Sequence, residues 1–434
     1  MRALKLSSPV SCIAILFAIT LQIQITLFAS GNYMGLRISA ADFLIPFAGI
    51  GILISLFLKR SILPKWKKPF TWHLPVLMTC VMTMAMINGY FIQGGLNQWA
   101  LVNKFAGWFI LMAYFGAGAW LAANYKESAP SFLKYFCGFF ILTAALEIGD
   151  QFLRARGIMF GPRSDMELVR GFMGNRNAFA FLMCCVAGFI TLYGFHKKFI
   201  STHMLILFWV IFPLIFLFNG SRTLWICTAI LFASFLIIDW KKSLRFMLPS
   251  ILIGVIAFFT VFSSKQREFF SLVPYNSMSR LYTYAQKPED PHAAKWAEIT
   301  GDLGRMEIIK GAVTLIGQYP VQGAGLGSVT FFQEQNNART RNIIDNTGLW
   351  LLTETGAIGL GIFTTSYVLM ALALWRGAGD IRDPEYILPL AALVMMLCFG
   401  IFSLLHEILY TRFFWFILGL ALAVPKTHPE PQEI

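Results

Sequence analysis

Long apolar runs alternate with short polar breaks along almost the whole chain. A bilayer core about 30 Å thick takes ~20 mostly apolar helical residues per crossing. On that ruler the pattern predicts membrane-spanning helices near 9–30, 40–58, 73–92, 100–122, 133–152, 176–195, 204–219, 222–238, 246–263, 345–374, 386–405 and 411–425. The runs at 204–219 and 222–238 are separated only by the polar stretch NGSR. The first run follows a basic N-terminus, but it is long and lacks a clear small-residue cleavage site. It therefore reads as an uncleaved span rather than a signal peptide.

Two polar stretches interrupt this pattern, at 153–175 and 264–344. Within the second, GDLGRMEIIKGAVTLIGQYP sets Met306, Ile309, Val313 and Ile316 at helical spacing. That spacing predicts an amphipathic helix lying on the outer leaflet or over a cavity. There is no tandem repeat, and the two halves do not match as they do in many transporters.

Composition turns the pattern into a class. Of 434 residues, 57% are hydrophobic and 13% charged, against about 25% charged in soluble domains. The fold class is an all-α polytopic membrane protein of about twelve spans, with residues 1–434 as one membrane domain and 264–344 as one large outward loop.

The net charge of +13 is topology signal rather than a nucleic-acid footprint, since no nucleic-acid motif accompanies it. The loop after the second span holds Lys59, Arg60, Lys65, Lys67 and Lys68, and the loop after the eighth holds Lys241, Lys242 and Arg245. The short loops on the other side, 31–39 and 93–99, hold only Arg37. Basic loops stay cytoplasmic, so both termini are expected there, with 153–175 and 264–344 projecting outward.

Metal and nucleophile chemistry find no motif. The seven cysteines sit in apolar runs without a CxxC, and the six histidines form no HExxH pair, so no metal site is expected. Neither a GxSxG elbow nor a Walker loop occurs.

The outward-side arginines do not serve the positive-inside rule. Arg154 and Arg339 are accounted for by headgroup contact or ion pairing. Arg222, at the mouth of two tightly linked spans, is a functional candidate by position. Arg176, Arg305 and Arg341 lie on the same side. Guanidinium forks match phosphate oxygens in pairs. Several of them converging outside the membrane suggest a lipid diphosphate, with its tail in the bilayer and its head at the outer surface.

Smaller features leave alternatives. YPVQGAGLGS, Tyr319 to Ser328, has no preceding strand. It is either a tight re-entrant turn or a backbone nest for an anion, not a dinucleotide site. In Asn175-Arg176-Asn177 a helix cap explains one asparagine but not the arginine. His406 and Glu407 adjoin at the outer end of the eleventh span. Asp345 stands at the mouth of an apolar run. Glu354, nine residues on, faces nearly the opposite side of an ideal helix and reads as structural support.

Four of these segments, in order, carry a resemblance: GFMGNRNAFAF, NGSRTLWI, GRMEIIKGAVTLIGQYPVQGAGLGS and DNTGLWLLTETGAIGL. The ordered set resembles the O-antigen ligase and polymerase superfamily of bacterial glycan assembly, over roughly residues 140–375 by motif. The resemblance implies a membrane glycosyltransferase (GT-C-like) fold in the bacterial inner membrane, with its active face periplasmic. The implied donor is a glycan on undecaprenyl diphosphate. The implied acceptor is lipid A core for a ligase, or another lipid-linked repeat of O-antigen or exopolysaccharide for a polymerase. It implies no cofactor, no metal and no nucleotide sugar.

By family position, Arg222 and Arg305 match the two diphosphate-binding arginines, with Arg176 assisting. The family's ligases carry a histidine base where this chain has Asp345, followed by Asn346. Three readings stay open. Asp345 replaces the histidine as base, although a carboxylate of ordinary pKa near ~3.9 is a weak one. Alternatively, Asp345 caps the helix and binds acceptor in a polymerase-like enzyme, or the chain is inactive. His406 and Glu407 are auxiliary proton carriers in the first two. Outside the enzyme class, the rivals are a transporter or flippase of lipid-linked sugar and a non-catalytic binder of it.

Overall fold

A computed structural model of the chain describes residues 9–27, 36–58, 63–66, 69–125, 128–154, 169–195, 200–261, 302–335, 344–377 and 387–424. The architecture is helical. In chain order the helices are α1 (Pro9–Thr20), α2 (Ile45–Phe57), α3 (His73–Gln93), α4 (Gly107–Asn124), α5 (Ser128–Arg154), α6 (Arg176–Phe195), α7 (Thr202–Asn219) and α8 (Arg222–Val261). After the long polar stretch come α9 (Asp302–Gln318), α10 (Ser328–Gln335), α11 (Thr347–Gly377), α12 (Ile387–Ser403) and α13 (Arg412–Leu422). A π-helix, Ala100–Ala106, runs straight into α4.

Seven helices among the described residues are long and apolar enough to cross a membrane: α3, α4 with its π-helical start, α5, α6, α7, α8 and α11. The chain is a multi-pass membrane protein. Helices α2, α12 and α13 are apolar but shorter.

The structure departs from the sequence expectation at the first span. The first expected span stops at Thr20, and the chain then pairs β1 (Gln24–Leu27) antiparallel with β2 (Leu36–Ser39). The two expected spans 222–238 and 246–263 are both present in α8, as two helices that meet at Asp239, where the backbone leaves helical geometry. There the Asp239 carboxylate accepts from the Lys242 amide at 3.0 Å, and the Ser243 hydroxyl donates to the Phe235 and Asp239 carbonyls at 2.7 Å. These bonds satisfy backbone groups freed by the kink.

Helix α9 carries two adjacent apolar stripes, one buried and one exposed. Ile309 and Val313 are 48% and 58% exposed, while Ile308 and Leu315 are each 6% exposed and Ala312 is fully buried. The buried stripe is i, i+4, i+7 from Ile308, one residue away from the stripe through Ile309. Both stripes are apolar, so periodicity alone could not choose between them.

Tight helix packing rests on small residues. Helix α4 lies against α13, and Gly118 of one and Gly419 of the other leave no room for a Cβ. A side chain at Gly118 would collide with the Phe416 carbonyl, and one at Gly419 with the Phe115 carbonyl. Without a hydrophobic drive between helices in lipid, this close backbone contact is what holds them. At the head of α13, Arg412 Nη2 meets Asp42 Oδ2 at 2.8 Å, and Tyr114 donates to Asp42 Oδ1 at 2.8 Å. Ser39 completes a capping box with Asp42, so the hairpin is tied to α13 through one satisfied carboxylate.

Candidate functional site

Three helices begin at one place. The first turns of α6, α8 and α11 carry Asn177, Thr223 and Thr347, and all three bond to His406, which lies between α12 and α13. Thr223 Oγ1 is 2.8 Å from His406 Nε2, and Asn177 Nδ2 is 3.2 Å from His406 Nδ1. Thr347 Oγ1 donates to the His406 carbonyl at 2.9 Å. The Ser221 hydroxyl donates to Asn177 Oδ1 at 3.0 Å, which fixes the amide from behind.

The segments ahead of these helices are tied to one another as well. Asn219, fully buried, donates from Nδ2 to the carbonyls of Val169 (2.8 Å) and Arg176 (3.0 Å). The motif NGSRT is thereby clamped onto GNRN. Asn175 Oδ1 accepts from the Asn177 amide at 2.8 Å, in the short side-chain turn typical of a helix start.

Arg176 and Arg222, each the first residue of its helix, are exposed at this end of the bundle. No hydrogen bond or ion pair occupies Arg222 among the described residues. Helix N-termini present free N–H groups and the positive end of the helix dipole, so three of them with two guanidiniums make an anion-attracting surface. Arg305 lies in α9, but its side chain, like residues 155–168, 262–301 and 336–343, falls outside the described residues.

Asp345 is exposed and precedes α11. The N-cap position is held by Asn346, whose Oδ1 accepts from the Leu349 amide at 2.7 Å and whose Nδ2 donates to the Leu404 carbonyl. Asn346 and Thr347 together fasten the segment Leu404–Ile408 against α11.

Glu407 points the other way, into the bundle. Its Oε1 is 2.9 Å from Lys104 Nζ, and both side chains are buried. Lys104, on the π-helix, also sits 4.5 Å from the Trp350 ring centroid, 4.7 Å from Tyr410 and 5.5 Å from Trp99. Tyr410 donates to the Lys104 carbonyl at 2.9 Å. Burial, and after it the Glu407 and Glu354 carboxylates, push its phenol well above the ordinary range, so it stays a donor. No sequence motif singles out Lys104. The signal was available: an ionisable residue inside an apolar run is expected to have a partner.

The glycine loop Tyr319–Ser328 lies beneath this layer. Its amides are consumed by backbone carbonyls: Ala324 donates to Thr353, Gly325 to Glu354 and Leu326 to Ala85. Gly323, Gly325 and Gly327 have φ of +77°, +85° and +80°, a conformation that favours glycine. The loop is a tight re-entrant turn wedged between α3 and the point where α11 breaks at Gly356. With those amides bonded inside the protein, an open nest for an anion is not formed there. Glu354, buried at that break, is part of this support.

A family model described as O-antigen ligase matches residues 205–364. The match begins in α7 and ends in α11, so it contains Thr223, Arg222, α9, the glycine loop, Asp345 and Thr347 but not Asn177 or His406. No curated protein matches the chain.

Proposed function

We propose, from the match of residues 205–364 to the O-antigen ligase family model, that the chain transfers a glycan from undecaprenyl diphosphate to a second sugar. The reaction takes place at the periplasmic face of the bacterial inner membrane, with both termini cytoplasmic. Arg222, Arg305 and Arg176 hold the diphosphate. Asp345, exposed beside the anchored His406 segment, binds the acceptor. The acceptor is another lipid-linked repeat, of O-antigen or exopolysaccharide, since the ligase histidine is replaced at position 345.

The observation that carries this reading is Arg222. It is exposed at the first turn of α8, beside the start of α6 and with no partner among the described residues. A lipid diphosphate leaving group develops negative charge as the anomeric bond breaks, and pre-placed cations and helix N-termini stabilise that charge without rearranging. No nucleotide, metal or cofactor is called on in this scheme.

The test uses purified protein in detergent with undecaprenyl diphosphate-linked oligosaccharide, with and without lipid A core. A ladder of products without core supports the polymerase. A single core-linked product moves the assignment to ligase. Absence of any transfer, together with failure to complement a deletion strain, overturns both.

A further inference from the structure

We propose that His406 is the proton acceptor of this transfer, reached through the Thr223 hydroxyl, and that the Asn346–Thr347 turn serves to hold it in place. This rests on the reading of the chain as a glycan transferase. It moves the base from position 345, where sequence position would put it, to a residue outside the matched region.

The geometry favours an imidazole that changes charge where it stands. Both ring nitrogens are bonded, Nε2 to Thr223 at 2.8 Å and Nδ1 to Asn177 at 3.2 Å. An asparagine amide and a hydroxyl can each reverse their role. With Asn177 Nδ2 toward the ring, Nδ1 accepts and the Nε2 proton goes to Thr223. With the amide turned over, Asn177 Oδ1 accepts the Nδ1 proton, Nδ2 donates to Ser221, and Thr223 donates to a bare Nε2. In the second arrangement the ring is ready to take a proton. Once it has done so, both N–H groups still have acceptors, Asn177 Oδ1 and Thr223 Oγ1, so the imidazolium leaves no donor unpaired.

Position fits the same role. Thr223 follows Arg222 on α8 and is 2% exposed where Arg222 is exposed, so the hydroxyl lies just inside the surface that carries the guanidinium proposed to hold the diphosphate. The His406 backbone is immobilised on three sides: its amide donates to the Phe402 carbonyl at 2.7 Å, its carbonyl accepts from Thr347, and Asn346 holds Leu404. Among the described residues, the charged side chains carried by the surrounding segments include Arg176 on α6, Arg222 on α8, Asp345 ahead of α11 and Glu407, the last paired with Lys104.

The step balances as follows. The acceptor hydroxyl oxygen bonds to the anomeric carbon and gives its proton to Thr223 Oγ1. Thr223 passes its own proton to His406 Nε2. The anomeric carbon–oxygen bond breaks, and its electron pair leaves with the lipid diphosphate beside Arg222. The imidazolium then releases its proton to water.

Transfer rate against pH is measured with purified protein and undecaprenyl diphosphate-linked oligosaccharide, alongside equilibrium binding of the same lipid. Wild type should show an acid limb between about pH 5 and 8, where imidazoles titrate. His406→Gln and His406→Ala should bind the lipid like wild type and lose roughly 10²–10⁴-fold in kcat. Added imidazole should restore part of the rate in His406→Ala. Thr223→Val should lose rate similarly and Thr223→Ser should recover most of it. Asp345→Asn should keep the acid limb. The assignment is overturned if either His406 variant, still binding lipid, transfers within about threefold of wild type, or if the acid limb disappears in Asp345→Asn alone. Failure of the wild type itself to transfer overturns the transferase reading instead.

Discussion

Lys104 and Glu407 form an ion pair at 2.9 Å across 303 residues of chain, with side chains only 5% and 8% exposed. Three aromatic rings surround the ammonium. A buried pair of this kind is costly to break because one charge is left without its partner, at about 3–5 kcal/mol. Glu407→Gln should therefore lower the thermal unfolding midpoint of the detergent-solubilised protein sharply. The double variant Lys104→Met/Glu407→Leu should recover most of the loss, because it leaves no buried charge. A double variant as unstable as the single one would count against a pairing role.

The glycine loop gives a second expectation. A Cβ at Gly325 would run into the Gly89 backbone on α3, and φ there is +85°. Neither the backbone nor the dihedral can yield cheaply. Gly325→Ala should reduce the yield of monodisperse protein in size-exclusion chromatography, whereas Gly317→Ala, where nothing lies within 4 Å, should not.

Asn346 and Asp345 should separate by stability. Losing an N-cap costs roughly 0.5–2 kcal/mol, and Asn346 also holds the Leu404 carbonyl. Asn346→Ala should lower the unfolding midpoint by more than Asp345→Ala does. Equal shifts in the two would mean that Asp345 shares the capping work.

Much of this architecture was legible because each part depends on local pattern. Apolar run length located the helices, and the four ordered motifs pointed to NGSRT, GNRN and DNTG as one site before their contacts were known. What the pattern could not show was pairing at long range. His406 gains its meaning from Asn177, Thr223 and Thr347, each on a different helix. Lys104 gains its meaning from Glu407. The span near 9–30 was misjudged because an apolar run rich in β-branched residues can pair as strands once it leaves the helix, as Ile25 and Ile38 do.

The most direct measurement follows the leaving group. Purified protein is given undecaprenyl diphosphate-linked oligosaccharide and an acceptor glycan, and free undecaprenyl diphosphate is quantified against new glycosidic bonds. The expected result is one lipid diphosphate released per bond formed, with release lost in Arg222→Ala and lowered in Arg222→Lys, which keeps the charge but not the fork. Intact lipid-linked glycan with no release from well-folded wild-type protein, or full release in Arg222→Ala, would contradict it.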